Sequence, residues 1–549
     1  MTAAWPSLNS IIWIPALAAM FCMGPWFARR RDQSGRLCKL WALFASTLTL
    51  VVLLAVAKSG LVVPGAVLQV EEAYPWILSL GVSFSLRLDG LSLVFCLLTC
   101  VVTLAVIGFS AKPSNAGAGW YASLLAGQSA VLGAFLASDL VLFYCFYELM
   151  LLPVLAAIAL WGGAGRMNAA LRFLLYTMVG SVLMFLAILY VGYRGFDILG
   201  AHMGSSDSPR FAFEISSLAT MPRFPLEEQV ALGLCFLIAF GIKIPVIPLH
   251  GWLASTYREA PHGTAAFTAA LLGKVGIYGI IRFVMPLFPD FLVLAAPTIA
   301  ALGAIGVVYG ALIALTQRDI RSLLAYSSLS HLGFCVLGIA AASEMALTGA
   351  VFQAISHGLV TAALFLVFGA IIDREGAGDF ASLGGLARKL PVTAFFLMVF
   401  SVAAVALPLT SSFVGEFLVI IGSWSAFPTW TLVSMTGVVL GAVYTLTAYM
   451  KTMFGPAHDT VPLRRSDIRG GDALVLISLV AAVVALGVVP GKLLSLVDSS
   501  LSTQLKMYRT DSRASMKDKV FREQRFVGAS VVQAITVTVV SNQDKAQAL

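Results

Sequence analysis

The sequence predicts an all-α polytopic membrane protein with about fourteen transmembrane helices and two inverted repeats that contain broken helices. Apolar residues make up 59% of the 549 and charged residues 11%, and mean hydropathy is +0.92, whereas soluble domains carry about 25% charged residues. Apolar runs of spanning length recur along the whole chain. At about 20 residues per crossing plus a connector, there is room for on the order of fourteen. Two runs are interrupted by proline: Lys243 is followed by Pro245 and Pro248, and the run from Val402 to Ile421 breaks at Pro408. Backbone groups freed at such breaks must face protein or a water-filled cavity. Paired interrupted helices in corresponding positions point to an inverted-repeat transporter with its site near the midplane.

Residues 1–117 read as N-terminal transmembrane helices. The first run, Leu8 to Phe27, is a retained helix rather than a signal peptide, because Arg29, Arg30 and Arg31 follow the apolar core instead of preceding it. This places the N-terminus outside. Alternation then puts seven connectors on the cytoplasmic face: Arg29 to Lys39, Ala111 to Gly117, Gly162 to Arg172, Gly251 to Gly263, Gln317 to Arg321, Asp373 to Pro391 and Phe454 to Gly470. They hold 17 lysines and arginines, against 5 in the outer connectors Lys58 to Asp89 and Arg194 to Glu228, as the positive-inside rule requires.

Residues 118–290 are expected to form the first repeat, residues 291–456 the second, inverted repeat, and residues 457–498 a connector with the last crossing. Residues 499–549 are a polar, basic tail carrying Lys506, Arg509, Arg513, Lys517, Lys519, Arg522 and Arg525. The map places this tail outside, against the charge rule: either a long tail escapes that rule, as long segments can, or the count of crossings is off by one. Within it, Asp511 to Arg525 suits a surface amphipathic helix and Ala529 to Val540 is β-prone.

The net charge of +8 sits in short connectors rather than in a basic patch with interleaved aromatics, so nucleic-acid binding is not expected. The seven cysteines are scattered through apolar runs without CxxC spacing, and there is no glycine-rich phosphate loop. No metal or nucleotide is expected in this chain.

The informative residues are the few ionisable groups inside apolar runs: Glu148, Lys243, Lys274, His331, His357 and Glu416. A lysine at the centre of a transmembrane helix costs about 2.5–3.5 kcal/mol on insertion scales, and intramembrane ionisable residues are by default candidates for ion pathways or proton relays. Glu and Lys respond oppositely to burial, and pairing holds both ionised. A carboxylate that approaches or withdraws from a lysine therefore controls whether the lysine keeps its proton. Imidazole can accept a proton on one nitrogen and give one from the other, which suits His331 and His357 to the middle of such a path. His250 and His262, beside Pro248 and Pro261, lie at segment ends where a solvated or gating role fits equally well.

The runs FYELMLLPVLAAIALWGG, IKIPVIPLHGWLASTYREAP, GKVGIYGIIRF, QRDIRSLLAYSSLSHLGF, ISHGLVTAALFL and SSFVGEF occur in that order. Together they resemble the antiporter-like proton-pumping subunits of respiratory complex I, of the chain M or chain 4 type, from about Asp89 to Pro456. The resemblance implies that Glu148 and Lys243 are the pair controlling one half-channel, with Lys274 as the connecting lysine. Glu416 would be the terminal carrier of the other half-channel, joined to Lys274 through His331, His357 and water. It implies no cofactor in this chain, with NADH, FMN, iron-sulfur clusters and quinone in partner subunits. The partners would be other membrane subunits of complex I, including sister antiporter-like subunits, in the lipid bilayer of a bacterial inner membrane.

The chain departs from the family pattern at His250-Gly-Trp-Leu-Ala-Ser-Thr-Tyr257, where HTWLPDAH is usual, and at Leu407-Pro-Leu-Thr-Ser-Ser-Phe413, where LPGxSGF is usual. Those changes put local backbone geometry at issue. A subunit of a multisubunit cation/proton antiporter, or of a membrane-bound hydrogenase or formate hydrogenlyase, would share the same carriers. A non-transporting scaffold would tolerate neutral residues at Lys243, Lys274 and Glu416 together.

Overall fold

The computed structural model describes residues 7–24, 31–60, 68–109, 117–203, 212–455 and 466–502, with 504, 505 and 508. The two tail segments singled out in the sequence, Asp511 to Arg525 and Ala529 to Val540, lie outside the described residues. The helices relevant below are α1 (Leu8–Met23), α2 (Arg31–Gly60), α3 (Gly90–Gly108), α4 (Ala118–Leu136), α5 (Leu140–Leu149), α6 (Leu151–Trp161), α7 (Arg166–Met203), α8 (Leu226–Lys243) and α9 (Leu253–Glu259). They are followed by α10 (His262–Gly279), α11 (Pro289–Thr316), α12 (Ile320–Ala341), α13 (Glu344–Glu375), α14 (Pro391–Ala404), α15 (Ser411–Trp424), α16 (Pro428–Met453) and α17 (Gly470–Val488).

Among the described residues, ten helical stretches are long and apolar enough to cross a membrane, and α1, α14 and α15 are shorter apolar helices. Length and apolarity alone therefore stop short of the expected fourteen crossings. Both expected interruptions are present. α8 ends at Lys243 and the chain resumes helix at Leu253; α14 ends at Ala404 and α15 begins at Ser411. At the second break Leu409 adopts φ +75° and Ala406 φ +59°, so the backbone takes the left-handed conformation glycine favours although leucine occupies the position. An antiparallel hairpin, β1 (Gln69–Ile77) and β2 (Val82–Asp89), fills the outer connector between α2 and α3. The sequence reading assigned no strand there, although VSFSLRLD alternates apolar and polar residues.

The helices that carry Lys274, His331 and His357 are the most enclosed ones. The spanning window of His262–Leu287 is wholly buried and those of α12 and α13 are 94% buried, whereas that of α17 is 17% buried. Close backbone approach holds this interior together. A Cβ on Gly303 of α11 would lie 2.8 Å from Leu337 N, and one on Gly333 of α12 would lie 2.7 Å from Gly303 O, the small-residue contact on which helix association in lipid relies.

Candidate functional site: a row of buried ionisable residues

Lys243 is the last residue of α8 and is fully buried. A helix C-terminus favours a cation, so the break that follows gives the lysine an electrostatic reason to be there. Trp252, beyond the break, donates from Nε1 to Ile242 O at 2.9 Å and ties the broken end. Tyr147 donates to Ala239 O at 2.9 Å and sets its ring 4.5 Å from Lys243 Nζ. That cation–π contact is the ammonium's polar neighbour, since Nζ makes no hydrogen bond to protein and Glu148 Oε1 makes none either. Glu148 lies one residue beyond Tyr147, half-buried at the end of α5. The expected Glu148–Lys243 pair is thus not closed into an ion pair here.

The next lysine is in a different state. Lys274, on the fully buried α10, donates to Ala269 O at 2.8 Å and lies 2.8 Å from His357 Nδ1 on α13. With Lys274 as an ammonium, which has donors only, Nδ1 accepts and the His357 proton sits on Nε2, an atom with no partner in the protein. The helices of the two lysines cross closely: a Cβ on Gly273 would be 3.4 Å from Lys243 O.

From His357 the row continues to His331 on α12, with ring centroids 5.8 Å apart. A cavity of about 10 Å³ lies between them, lined by His331, His357, Gln353, Ser327, Thr361 and Ser412, room for about one water centre. His331 Nδ1 is 2.9 Å from Glu416 Oε1. The same oxygen accepts from Gln353 Nε2 at 2.9 Å. On its other side, His331 Nε2 is 3.3 Å from the Tyr444 hydroxyl, which is 2.9 Å from Ser327 Oγ.

Four of the six expected residues, Lys274, His357, His331 and Glu416, are therefore brought into one row across α10, α13, α12 and α15. Glu148 and Lys243 stand beside it without a direct bond. Sequence reasoning missed Gln353, Tyr444 and Ser327. They are uncharged and give no signal in an apolar run; they matter because packing places them on Glu416 and His331. Of the two segment-end histidines, His262 is 3.4 Å from Asp373 Oδ1 and 3.2 Å from Arg321 Nη2, and His250 meets the Tyr309 ring edge-on at 5.5 Å.

The comparisons agree with this architecture. Residues 137–441 match the family model described as NADH:quinone oxidoreductase/Mrp antiporter, TM. The chain is 31% identical to NADH-quinone oxidoreductase subunit M of Rickettsia prowazekii over 91% of this chain and 99% of that protein. It is 34% identical to the subunit of the same name in Pseudomonas aeruginosa, over 89% and 96%. Among solved structures, a chain of respiratory complex I from Thermus thermophilus with bound NADH superposes with a TM-score of 0.78 at 28% identity, covering 91% of this chain and all of that one. A chain of the Mrp complex from Dietzia sp. DQ12-45-1b shares the fold, with a TM-score of 0.76 at 22% identity over 91% and 97%. The chain belongs to the NADH:quinone oxidoreductase/Mrp antiporter transmembrane family and aligns along nearly its whole length with the family's NADH-quinone oxidoreductase subunit M members.

Proposed function

We propose that this chain is a proton-translocating membrane subunit of a bacterial NADH:quinone oxidoreductase, working in the inner membrane beside sister antiporter-like subunits. The observation that carries this reading is the buried row Lys274–His357, His331–Glu416, whose first three members lie on the most enclosed helices, with a gap of one water's width between the two histidines. NADH, FMN, iron-sulfur clusters and quinone belong to partner subunits, and no step here runs through them. Moving one charge against the membrane potential costs about 2.3 kcal/mol per 100 mV, so the row needs an external drive.

The residues divide the work. Glu148 approaches or leaves Lys243. Close, it supplies the carboxylate that the Lys243 ammonium lacks; withdrawn, it leaves that ammonium facing only the Tyr147 ring and ready to pass its proton on. A proton displaced from Lys274 is taken by His357 on Nδ1 while Nε2 gives its proton toward His331 through a water. His331 hands it to Glu416, which releases it to the outer side. Gln353 and Tyr444 keep the Glu416 carboxylate and the His331 ring in register.

Replacing Lys243 with Ala is the test. NADH-driven acidification of inverted membrane vesicles should be lost while the complex still assembles. Normal acidification by the assembled variant would remove Lys243 from the pathway. Transport that depends on sodium rather than on NADH would instead point to a cation/proton antiporter subunit.

A further inference from the structure

The same helix face that carries Lys274 runs on to the outer side. Lys274, Tyr278 and Arg282 follow at i, i+4 and i+8, stacked one turn above another. Arg282 lies within the π turn Ile280–Val284 that continues α10. The Tyr278 hydroxyl donates to Phe135 O at 2.8 Å and accepts from Arg282 Nε at 3.0 Å. Both carboxylate oxygens of Asp89 lie 2.7 Å from Arg282 Nη2. With its amide turned to satisfy both groups, Gln504 accepts from Arg282 Nη1 at 3.2 Å and donates to Ile281 O at 3.0 Å. Asp89 itself is fixed: it caps α3 by accepting from Ser92 N at 2.9 Å, and the Ser92 hydroxyl accepts from Asp89 N at 2.8 Å.

Beyond the pair is a cavity of about 220 Å³ whose lining includes Arg87, Asp89, Ser216, Arg282, Ser500 and Gln504. At about 30 Å³ each, several waters fit there. Asp89, Arg87 and Ser216 belong to the connectors assigned to the outside. The cavity floor is eight residues, about 12 Å along the helix, from the Lys274 position.

We propose that the Asp89–Arg282 pair is a proton barrier that insulates Lys274 from the outer cavity. A proton wire needs each member to accept on one side and donate on the other. A guanidinium has five donors and no acceptor, and it does not deprotonate in proteins. Placed at the cavity beside Tyr278, whose hydroxyl donates to Phe135 O, it offers an incoming proton no acceptor, and its charge repels an incoming hydronium, as arginines do in water-selective pores. Burial alone would raise the Asp89 carboxyl, but Arg282 beside it more than reverses this and holds it below the usual carboxylate range. The carboxylate therefore anchors the arginine without taking up protons itself. A carrier about 12 Å along the helix from a cavity with room for several waters would otherwise be open to back-flow down the gradient.

The proposal rests on Lys274 as a carrier, which Lys274→Ala tests separately: that variant should lose driven pumping without gaining leak. The barrier is tested in the whole complex reconstituted into proteoliposomes, by the passive proton conductance without NADH. Arg282→Gln should raise it on the order of tenfold or more while electron transfer persists, and Arg282→Lys, which keeps the charge, should stay within about twofold of wild type. Unchanged conductance in assembled Arg282→Gln overturns the proposal, as does equal leak in both variants, which would make the effect one of packing.

Arg282→His keeps the test available if the glutamine variant fails to assemble, because one folded protein is then read with and without the charge. The groups facing that ring are Asp89 with Arg87 behind it from β2, Tyr278 from its own helix, Cys96 from α3, and Ser500 and Gln504 from the C-terminal segment. Conductance should climb as outer pH rises from about 5.5 to about 9, where the imidazolium, held charged by the Asp89 carboxylate beyond the ordinary histidine range, loses its proton. A flat profile overturns the barrier.

Discussion

Gly415 immediately precedes Glu416 and lies against the backbone of α13, so its replacement by alanine probes how closely Glu416 must be held. A Cβ there would sit 2.6 Å from Gln353 Cα and 2.7 Å from both Gln353 N and Oε1, where ordinary contact begins at 3.4 Å. Two of those three atoms are backbone of one of the most enclosed helices, so α15 must retreat by about 0.8 Å. That displacement stretches the two 2.9 Å bonds to Glu416 Oε1, from His331 and Gln353, beyond hydrogen-bonding range. Overpacking of this kind costs about 1–3 kcal/mol of stability. Misplacing a reacting group by about 1 Å costs on the order of a hundredfold in rate. NADH-driven dye quenching in inverted vesicles, normalised to assembled complex, should therefore fall on the order of ten- to a hundredfold in Gly415→Ala. Gly441→Ala is the control, since the nearest atom to its new Cβ is the Tyr444 hydroxyl at 3.9 Å, and it should pump as wild type. An assembled Gly415→Ala complex with wild-type pumping would refute the dependence of the row on these contacts.

Trp252→Phe keeps the ring but removes the donor to Ile242 O, leaving a buried carbonyl unpaired at a cost of about 1–3 kcal/mol; a lower melting temperature of the purified complex is expected. Leu409→Gly should leave that temperature level or raise it, because the left-handed backbone costs leucine about 1–2 kcal/mol and its side chain is 68% exposed; marked destabilisation would mean the side chain is held by something else. For Asp89, whose folded-state pKa is lowered chiefly by Arg282 against the opposing effect of burial, the stabilisation is fully present above the unfolded value near 3.9 and disappears as pH falls through the lower folded value. The stability gap between wild type and Asp89→Asn should thus be constant above about pH 4 and shrink below it in acid-unfolding profiles.

The contrast between residues legible in the sequence and those that were not follows from solvation. Lys274, His331, His357 and Glu416 stand out in apolar runs because a charge in lipid is costly, and no knowledge of neighbours is needed to notice them. Gln353 and Tyr444 carry no such cost. Their importance arises from helix crossings that join positions 63 and 113 residues apart, which no local pattern encodes. The Asp89–Arg282 pair spans 193 residues, and neither Asp89 nor the run GKVGIYGIIRF announces the partnership locally. The break after Lys243 was legible from its prolines, whereas the Tyr147 ring beneath the ammonium, in place of a closed bond to Glu148, was not. The second break kept its left-handed turn despite losing glycine, because the turn is set by how α14 and α15 must meet and Leu409 pays the strain facing outward.

Proton transfer from Lys274 to His357 is the central step of the proposed pathway. The most direct measurement is NADH-driven proton uptake per electron transferred in vesicles carrying Lys274→Met, which keeps an unbranched side chain of similar reach and removes the titratable amine. The expected result is an assembled complex that no longer acidifies the vesicle interior through this subunit, with His357 otherwise in place. Proton uptake per electron equal to wild type in that variant would contradict it.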